Sequence, residues 1–304
     1  MSEPAFRGII PPLVTPLDDA GHLDLGGLER LIERVIEGGV HGLFVLGTTG
    51  EGPSLPQTMR HLAVTATCRL VAGRAPVLVG ITDTIFAASV ELAEFAYDAG
   101  ATAAVVAPPY YLPMTQSELI GYTLRLVDKL PLPIMLYNMP GCCKTWYDVE
   151  SVVELSHHER ILGLKDSSGD LDYFHRVTQA LSENEEFAFF VGPEELLVEC
   201  IDRGAHGGVN GGANMFPQLY VQMYNAAVNG ERERADELKQ LVLAISNTIY
   251  AASDGPSRII KGIKSVLAEL GVCDDQMAEP FTRHTAEGRK LIQQHLAELL
   301  PRLN

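Results

Sequence analysis

Eight short, nearly continuous apolar runs punctuate the chain, and stretches of helical periodicity lie between them. The runs cover residues 8–14, 42–46, 77–80, 103–107, 134–137, 161–165, 187–191 and 207–209. Unbroken apolar character, rather than alternation, is what strands of a parallel sheet show when both faces are covered by helices. Residues 25–37 place Leu28, Leu31, Ile32, Val35 and Ile36 on one stripe, and residues 84–99, 116–129 and 171–181 follow the same pattern. Glycines at Gly38, Gly39 and Gly100 read as helix stops. Eight βα repeats predict an α/β fold, a (β/α)8 TIM barrel closing near residue 225. An open doubly wound sheet also alternates strand and helix, but no GxGxxG follows the first run, and the count of eight favours the barrel. From about residue 232 onward the pattern is helical without strands. The expected organisation is therefore a catalytic barrel over 1–225 and a C-terminal helical bundle over 226–304.

The chain has 304 residues, enough for one large core without staples. Its net charge of -16 gives no general attraction for nucleic acid or an anionic membrane surface. No run reaches the ~20 apolar residues of a membrane span, and the N-terminus lacks a signal-peptide pattern. Five cysteines without CxxC spacing fit a reducing compartment, so a cytoplasmic protein is expected.

In a barrel, chemistry belongs at the C-terminal ends of strands and in the loops that follow. After the second run stands Gly47-Thr48-Thr49-Gly50-Glu51-Gly52. It reads either as an anion cradle of backbone N–H groups and hydroxyls or as an ordinary glycine-rich turn. Lys165, one of seven lysines, closes the sixth run. A lysine inside a barrel mouth is costly to keep charged, so its pKa should fall, and a neutral amine can form a Schiff base with a ketone. Alternation should turn the neighbouring Asp166 to the opposite side of the strand. Tyr137 closes the fifth run at a comparable height, within reach of such an imine. It is read either as a proton shuttle or as a buried structural phenol. Pro108-Pro109-Tyr110-Tyr111 follows the fourth run, and Gly207-Gly208-Val209 leads into a glycine-rich loop after the eighth. Glu194 and Glu195 follow the seventh. They are read as substrate-hydroxyl acceptors or as the acidic first turn of a helix. The nine histidines are scattered, without ligand spacing, so no metal site is expected.

Taken together, these segments resemble the superfamily of N-acetylneuraminate lyase and dihydrodipicolinate synthase. They are Gly47-Thr48-Thr49-Gly50-Glu51, Pro109-Tyr110-Tyr111, Tyr137-Asn138-Met139-Pro140, Gly163-Leu164-Lys165-Asp166-Ser167-Ser168-Gly169 and Gly207-Gly208-Val209 through Asn214. The resemblance implies a class I aldolase or lyase with no cofactor beyond a covalent imine between Lys165 and pyruvate or the keto end of a 2-oxo acid. It implies Tyr137 as proton-transfer residue, relayed by Thr48 and by Tyr111 reaching in from a neighbouring subunit of a homotetramer built as a dimer of dimers. Thr48 and Thr49 would hold the substrate carboxylate, with Gly208 and Val209 beside the imine.

One departure bears on substrate. In the synthases, an arginine two residues past the proline of the YNxP motif binds the carboxylate of the aldehyde partner. Here that position is Cys142, with Lys144 two residues on. A thiol cannot replace a bidentate guanidinium. Glu194 and Glu195 align with the acidic pair through which sialic acid lyases contact sugar hydroxyls. The expectation is therefore cleavage of a 3-deoxy sugar acid or sialic-acid-like 2-oxo acid to pyruvate and an aldehyde. The alternatives are 4-hydroxy-tetrahydrodipicolinate synthase, a 2-keto-3-deoxy sugar-acid dehydratase using the same imine, and a non-catalytic pyruvate-binding barrel.

Overall fold

The structure, a computed structural model, describes residues 4–303. Its strands are β1 Gly8–Ile9, β2 Leu43–Val45, β3 Val77–Gly80, β4 Ala103–Val106, β5 Ile134–Asn138, β6 Ile161–Asp166, β7 Ala188–Val191 and β8 Gly207–Gly208. All pair in parallel, in the order β1-β8-β7-β6-β5-β4-β3-β2. The run at 8–14 yields only two ladder residues because Pro11 and Pro12 have no N–H to donate. The chain still closes the barrel there. Leu13 N–H donates to Phe44 C=O at 2.8 Å, and Phe44 N–H donates to Pro11 C=O at 3.0 Å. At the other seam, a Cβ on Gly207 would lie 1.9 Å from the Gly8 carbonyl oxygen, so β1 and β8 can meet only at glycine.

The helices between strands are α1 Leu25–Glu37, α2 Gln57–Val71, α3 Phe86–Asp98, α4 Gln116–Lys129, α5 Val149–Leu155, α6 Leu171–Ala180, α7 Leu197–Ile201 and α8 Pro217–Val228. Helices α1 and α4 begin on side-chain caps at Asp24 and Thr115, the latter in a reciprocal capping box with Glu118. Alternation divides each strand between two cores. Phe44, Val105, Met135, Tyr137 and Phe190 fill the barrel interior, while Val45, Val106, Leu136, Leu164 and Val191 face the helix layer. Two apolar surfaces per strand explain why the runs were continuous.

The C-terminal extension consists of α9 Arg232–Thr248, α10 Arg258–Glu269 and α11 Ala286–Leu303. Two buried carboxylates tie it to the loops of the barrel mouth. Glu51 pairs with the Lys264 ammonium, and its Oε2 accepts from Ala278 N–H at 2.7 Å. Glu194 Oε1 accepts from the hydroxyls of Tyr220 and Tyr250, each at 2.8 Å, and its Oε2 accepts from Gly212 N–H at 2.8 Å. The Glu51–Lys264 pair has almost no solvent contact. Removing one partner strands the other's charge, which typically costs about 3–5 kcal/mol. Lys264→Met should lower stability to urea by that amount, and adding Glu51→Gln should restore at least half of it. Equal stability of Lys264→Met and the parent would contradict this role.

Candidate active site

Strand register brings the two central groups together. Tyr137 on β5 is the direct partner of Lys165 on β6. The Lys165 ammonium nitrogen lies 3.9 Å from the centre of the Tyr137 ring and 5.1 Å from that of Phe44, the inward residue of β2. Lys165 is only 4% exposed, and the rings of Tyr137 and Phe44 beside it can favour a cation only through their faces. Desolvation lowers its pKa to about 7, against smaller opposing effects of Asp166 and Cys142. Asp166 does face the other way, as alternation requires. Its Oδ2 accepts from the Ser168 hydroxyl at 2.8 Å, and burial raises its own pKa to about 6.

Thr48 stands in the loop after β2. Its hydroxyl lies 3.2 Å from the Tyr137 hydroxyl, and either group can donate. Burial pushes the Tyr137 phenol up to about 12, opposed by hydrogen bonds from Thr48 and Ser167. A phenol held that high is protonated at rest and moves a proton by passing one on as it accepts another. The Thr48 loop is built under strain. Leu46 (φ 61) and Glu51 (φ 56) both adopt the left-handed conformation that non-glycine residues avoid. The Glu51 bonds to the C-terminal extension hold that turn on one side. On the other, the Thr15 hydroxyl donates to Gly50 C=O at 2.6 Å. Thr49 sits in the same turn, half-buried, facing the loop after β8. In that strand and loop, Gly208 pairs with β1 and Val209 is buried in the barrel interior.

A cavity of about 280 Å³ opens beside Tyr137 and Thr48, lined by Phe44, Gly47, Thr48, Tyr137, Met139 and Cys142 on the barrel side, while Lys165, Thr49, Gly208 and Val209 are not in its lining. The C-terminal extension supplies Ser257, Ile260 and Phe281 to the same cavity. Four further expected site residues lie elsewhere. Lys144 lines a separate cleft with Trp146 and Gln116, its ammonium 5.5 Å over the Tyr111 ring. Glu194 is committed to the three internal donors described above, and Glu195 accepts from the Ser246 hydroxyl of α9. Glu194 therefore anchors the barrel to the extension, Glu195 has one carboxylate oxygen bonded to α9, and neither lines the cavity. Tyr111 is 71% exposed and is not part of the cavity of its own chain.

Two contributors were missed from sequence. Ser167 is among the groups that oppose the rise in the Tyr137 pKa, and a Cβ on Gly192 would lie 2.0 Å from the Ser167 hydroxyl oxygen. The hydroxyl in Lys165-Asp166-Ser167 was visible, but nothing local indicated its direction. Phe44 read as one more strand residue. Among the described residues, no group of three or more His, Cys, Asp or Glu side chains is arranged to hold a metal ion.

The profile of the Dihydrodipicolinate synthetase family matches residues 5–299. The chain belongs to that family. It is accordingly a class I, pyruvate-dependent carbon–carbon lyase on a (β/α)8 barrel with C-terminal helices. It is 33% identical over 283 residues to 4-hydroxy-tetrahydrodipicolinate synthase of Phenylobacterium zucineum, covering 93% of each chain. A dihydrodipicolinate synthase structure from Bacteroides thetaiotaomicron superposes with a TM-score of 0.95 at 47% identity, covering 98% of this chain and 100% of that one. YagE, a prophage protein of the dihydrodipicolinic acid synthase family from E. coli K12, solved in complex with pyruvate, superposes at 0.92 with 27% identity, covering 97% and 99%.

The lowered pKa gives the site a definite pH response. Only the neutral amine attacks a carbonyl, so reaction of the Lys165 amine with an added carbonyl compound should be fast above pH 7. It should slow by about tenfold per unit below that value as the amine protonates. The observed rate constant of adduct formation between pH 5 and 9 checks this. An inflection near 10 would contradict it.

Proposed function

We propose that Lys165 forms an imine with pyruvate, or with the keto end of a 2-oxo acid, and that Tyr137 carries the proton of the carbon–carbon bond step. The observation that carries this reading is a lysine sealed from water at a strand end, facing a phenol that has a hydroxyl relay behind it.

The amine nitrogen of Lys165 adds to the carbonyl carbon C2, and the resulting carbinolamine loses water to give an iminium. In cleavage, the C3–C4 bond breaks and its electron pair forms the C2–C3 double bond of an enamine, neutralising the iminium nitrogen. The proton leaving the C4 hydroxyl passes to the Tyr137 oxygen as Tyr137 gives its own to Thr48. The released fragment is an aldehyde. A proton returns along Thr48 and Tyr137 to C3, and hydrolysis of the resulting iminium by water releases pyruvate and the free lysine. Addition is the reverse. The lysine supplies the electron sink, so no metal enters any step. Thr48, Thr49 and the backbone at Gly208 and Val209 hold the substrate carboxylate and the imine.

The aldehyde partner in this reading is uncharged. Cys142 lines the cavity where the synthases use an arginine, and the Lys144 ammonium sits over Tyr111 outside it. A charge-assisted hydrogen bond to a carboxylate is worth ~1.5–3 kcal/mol, and its loss weakens the synthase alternative. The sugar-acid alternative loses the support of Glu194 and Glu195, which are engaged internally. The reading also takes the enzyme as a cytoplasmic homotetramer in which Tyr111 completes the relay of a neighbouring subunit. Its ring is exposed beside the exposed Leu112 and the partly exposed Trp146, an apolar surface suited to a subunit contact.

Borohydride reduction in the presence of pyruvate and excess EDTA should add one reduced pyruvyl group at Lys165, read by peptide mass. Tyr137→Phe should retain the adduct but lose about 10²–10⁴-fold in turnover, the usual range for a proton-transfer group. An adduct of equal yield in Lys165→Ala would remove the assignment. For the shared relay, inactive Tyr111→Phe and inactive Lys165→Ala subunits should regain activity when mixed under conditions that exchange subunits. No recovery after demonstrated exchange would place Tyr111 within its own chain's function.

A further inference from the structure

Much of the cavity lining is carbon. Leu46, Val105, Ala107, Met139, Ile260 and Phe281 belong to it, and Phe281 is 43% exposed. The charged groups in the lining are already engaged. Glu51 is paired with Lys264. The Arg60 guanidinium faces Asp83 at 3.1 Å and donates to the carbonyls of Leu55 at 2.9 Å and Pro53 at 3.3 Å. Beyond Thr48 and Tyr137, the hydroxyls in the lining belong to Ser54, Thr82, Tyr110 and Ser257, and that of Thr82 already accepts from Ala107 N–H at 2.9 Å. A polyhydroxy chain entering here would meet neutral hydroxyls and carbon but no free charged group, so part of its hydration would be lost without replacement.

We infer that the acceptor half of this site takes an aldehyde with an apolar substituent, a short branched chain or a single aromatic ring. This rests on the reading of Lys165 as the pyruvate imine. Carbon C3 of the enamine attacks the aldehyde carbon, and the carbonyl electron pair takes the Tyr137 proton. Water then hydrolyses the iminium to give a 4-hydroxy-2-oxo acid that carries the apolar group on C4. The volume of about 280 Å³ lies just under the ~300–1,000 Å³ of drug-sized pockets, which limits the acceptor to a small group.

The test measures kcat/KM for pyruvate addition to benzaldehyde, isobutyraldehyde, glyceraldehyde and succinic semialdehyde, with borohydride trapping of pyruvate alone run in parallel. Burying an apolar group of this size is worth about 1.5–3 kcal/mol, so the apolar aldehydes should lead glyceraldehyde by roughly 10–100-fold. Aldehydes differ in intrinsic reactivity, so the same ratio is measured in the double variant Ile260→Ser, Phe281→Ser. There it should fall at least tenfold. The change in ratio cancels both chemical reactivity and the fraction of folded enzyme. Trapping that succeeds while glyceraldehyde or the semialdehyde equals or exceeds the apolar aldehydes would overturn the inference and leave the imine intact. A ratio unchanged in the double variant would overturn it as well. Failure of trapping would remove both.

Discussion

A lysine ammonium inside a barrel of Phe44, Met135, Tyr137 and Phe190 is the constraint on which the site depends. Water is excluded from around Lys165, and the ring faces near it are a weaker environment than hydration. The balance shifts toward the neutral amine. The same burial that makes the strand stable makes its one basic group nucleophilic. Tyr137 experiences the opposite consequence of the same medium, because burial there raises the cost of its anion. An amine pushed down and a phenol pushed up, on directly paired residues of one desolvated volume, are what the proposed imine chemistry asks of a nucleophile and a proton carrier.

The remainder of the architecture holds the third side of that volume in place. Thr48 reaches Tyr137 from a turn with two left-handed non-glycine residues, a conformation that persists only when its surroundings over-determine it. Glu51 meets that need through Lys264 and Ala278, both in the C-terminal part of the chain. Glu194 ties the loop after β8 to Tyr220 and Tyr250 in the same manner. The extension is thus both a roof over the cavity and the clamp for its loops. Changes in α10 should be felt at Thr48 although they lie outside the barrel.

The strands and the Lys165–Tyr137 pairing were legible because sequence dictates them locally. Consecutive βα units place β5 beside β6, and period-two alternation sends Lys165 inward and Asp166 outward. The eight runs fell within a few residues of the observed strands, and the largest difference, at 8–14, follows from Pro11 and Pro12. Loop side chains were not legible. Cys142 and Lys144 are two residues apart in an aperiodic segment, yet one lines the cavity and the other faces Tyr111. Glu194 had two plausible roles in sequence, and its observed partners at positions 212, 220 and 250 could be found only by folding the chain. Phe281 and Ile260 were hidden for a related reason. A helical pattern states that an extension is helical, but not which end of the barrel it covers.

The charge on the Lys165 nitrogen can be measured without substrate. Side-chain carbon and nitrogen NMR of selectively labelled lysine, assigned with Lys165→Arg, follows the titration of Lys165 in the free enzyme. A midpoint near 7, set by desolvation, is the expected result. A midpoint above 10, the range of a lysine in water, would show that the barrel interior leaves the ammonium charged and would contradict the account.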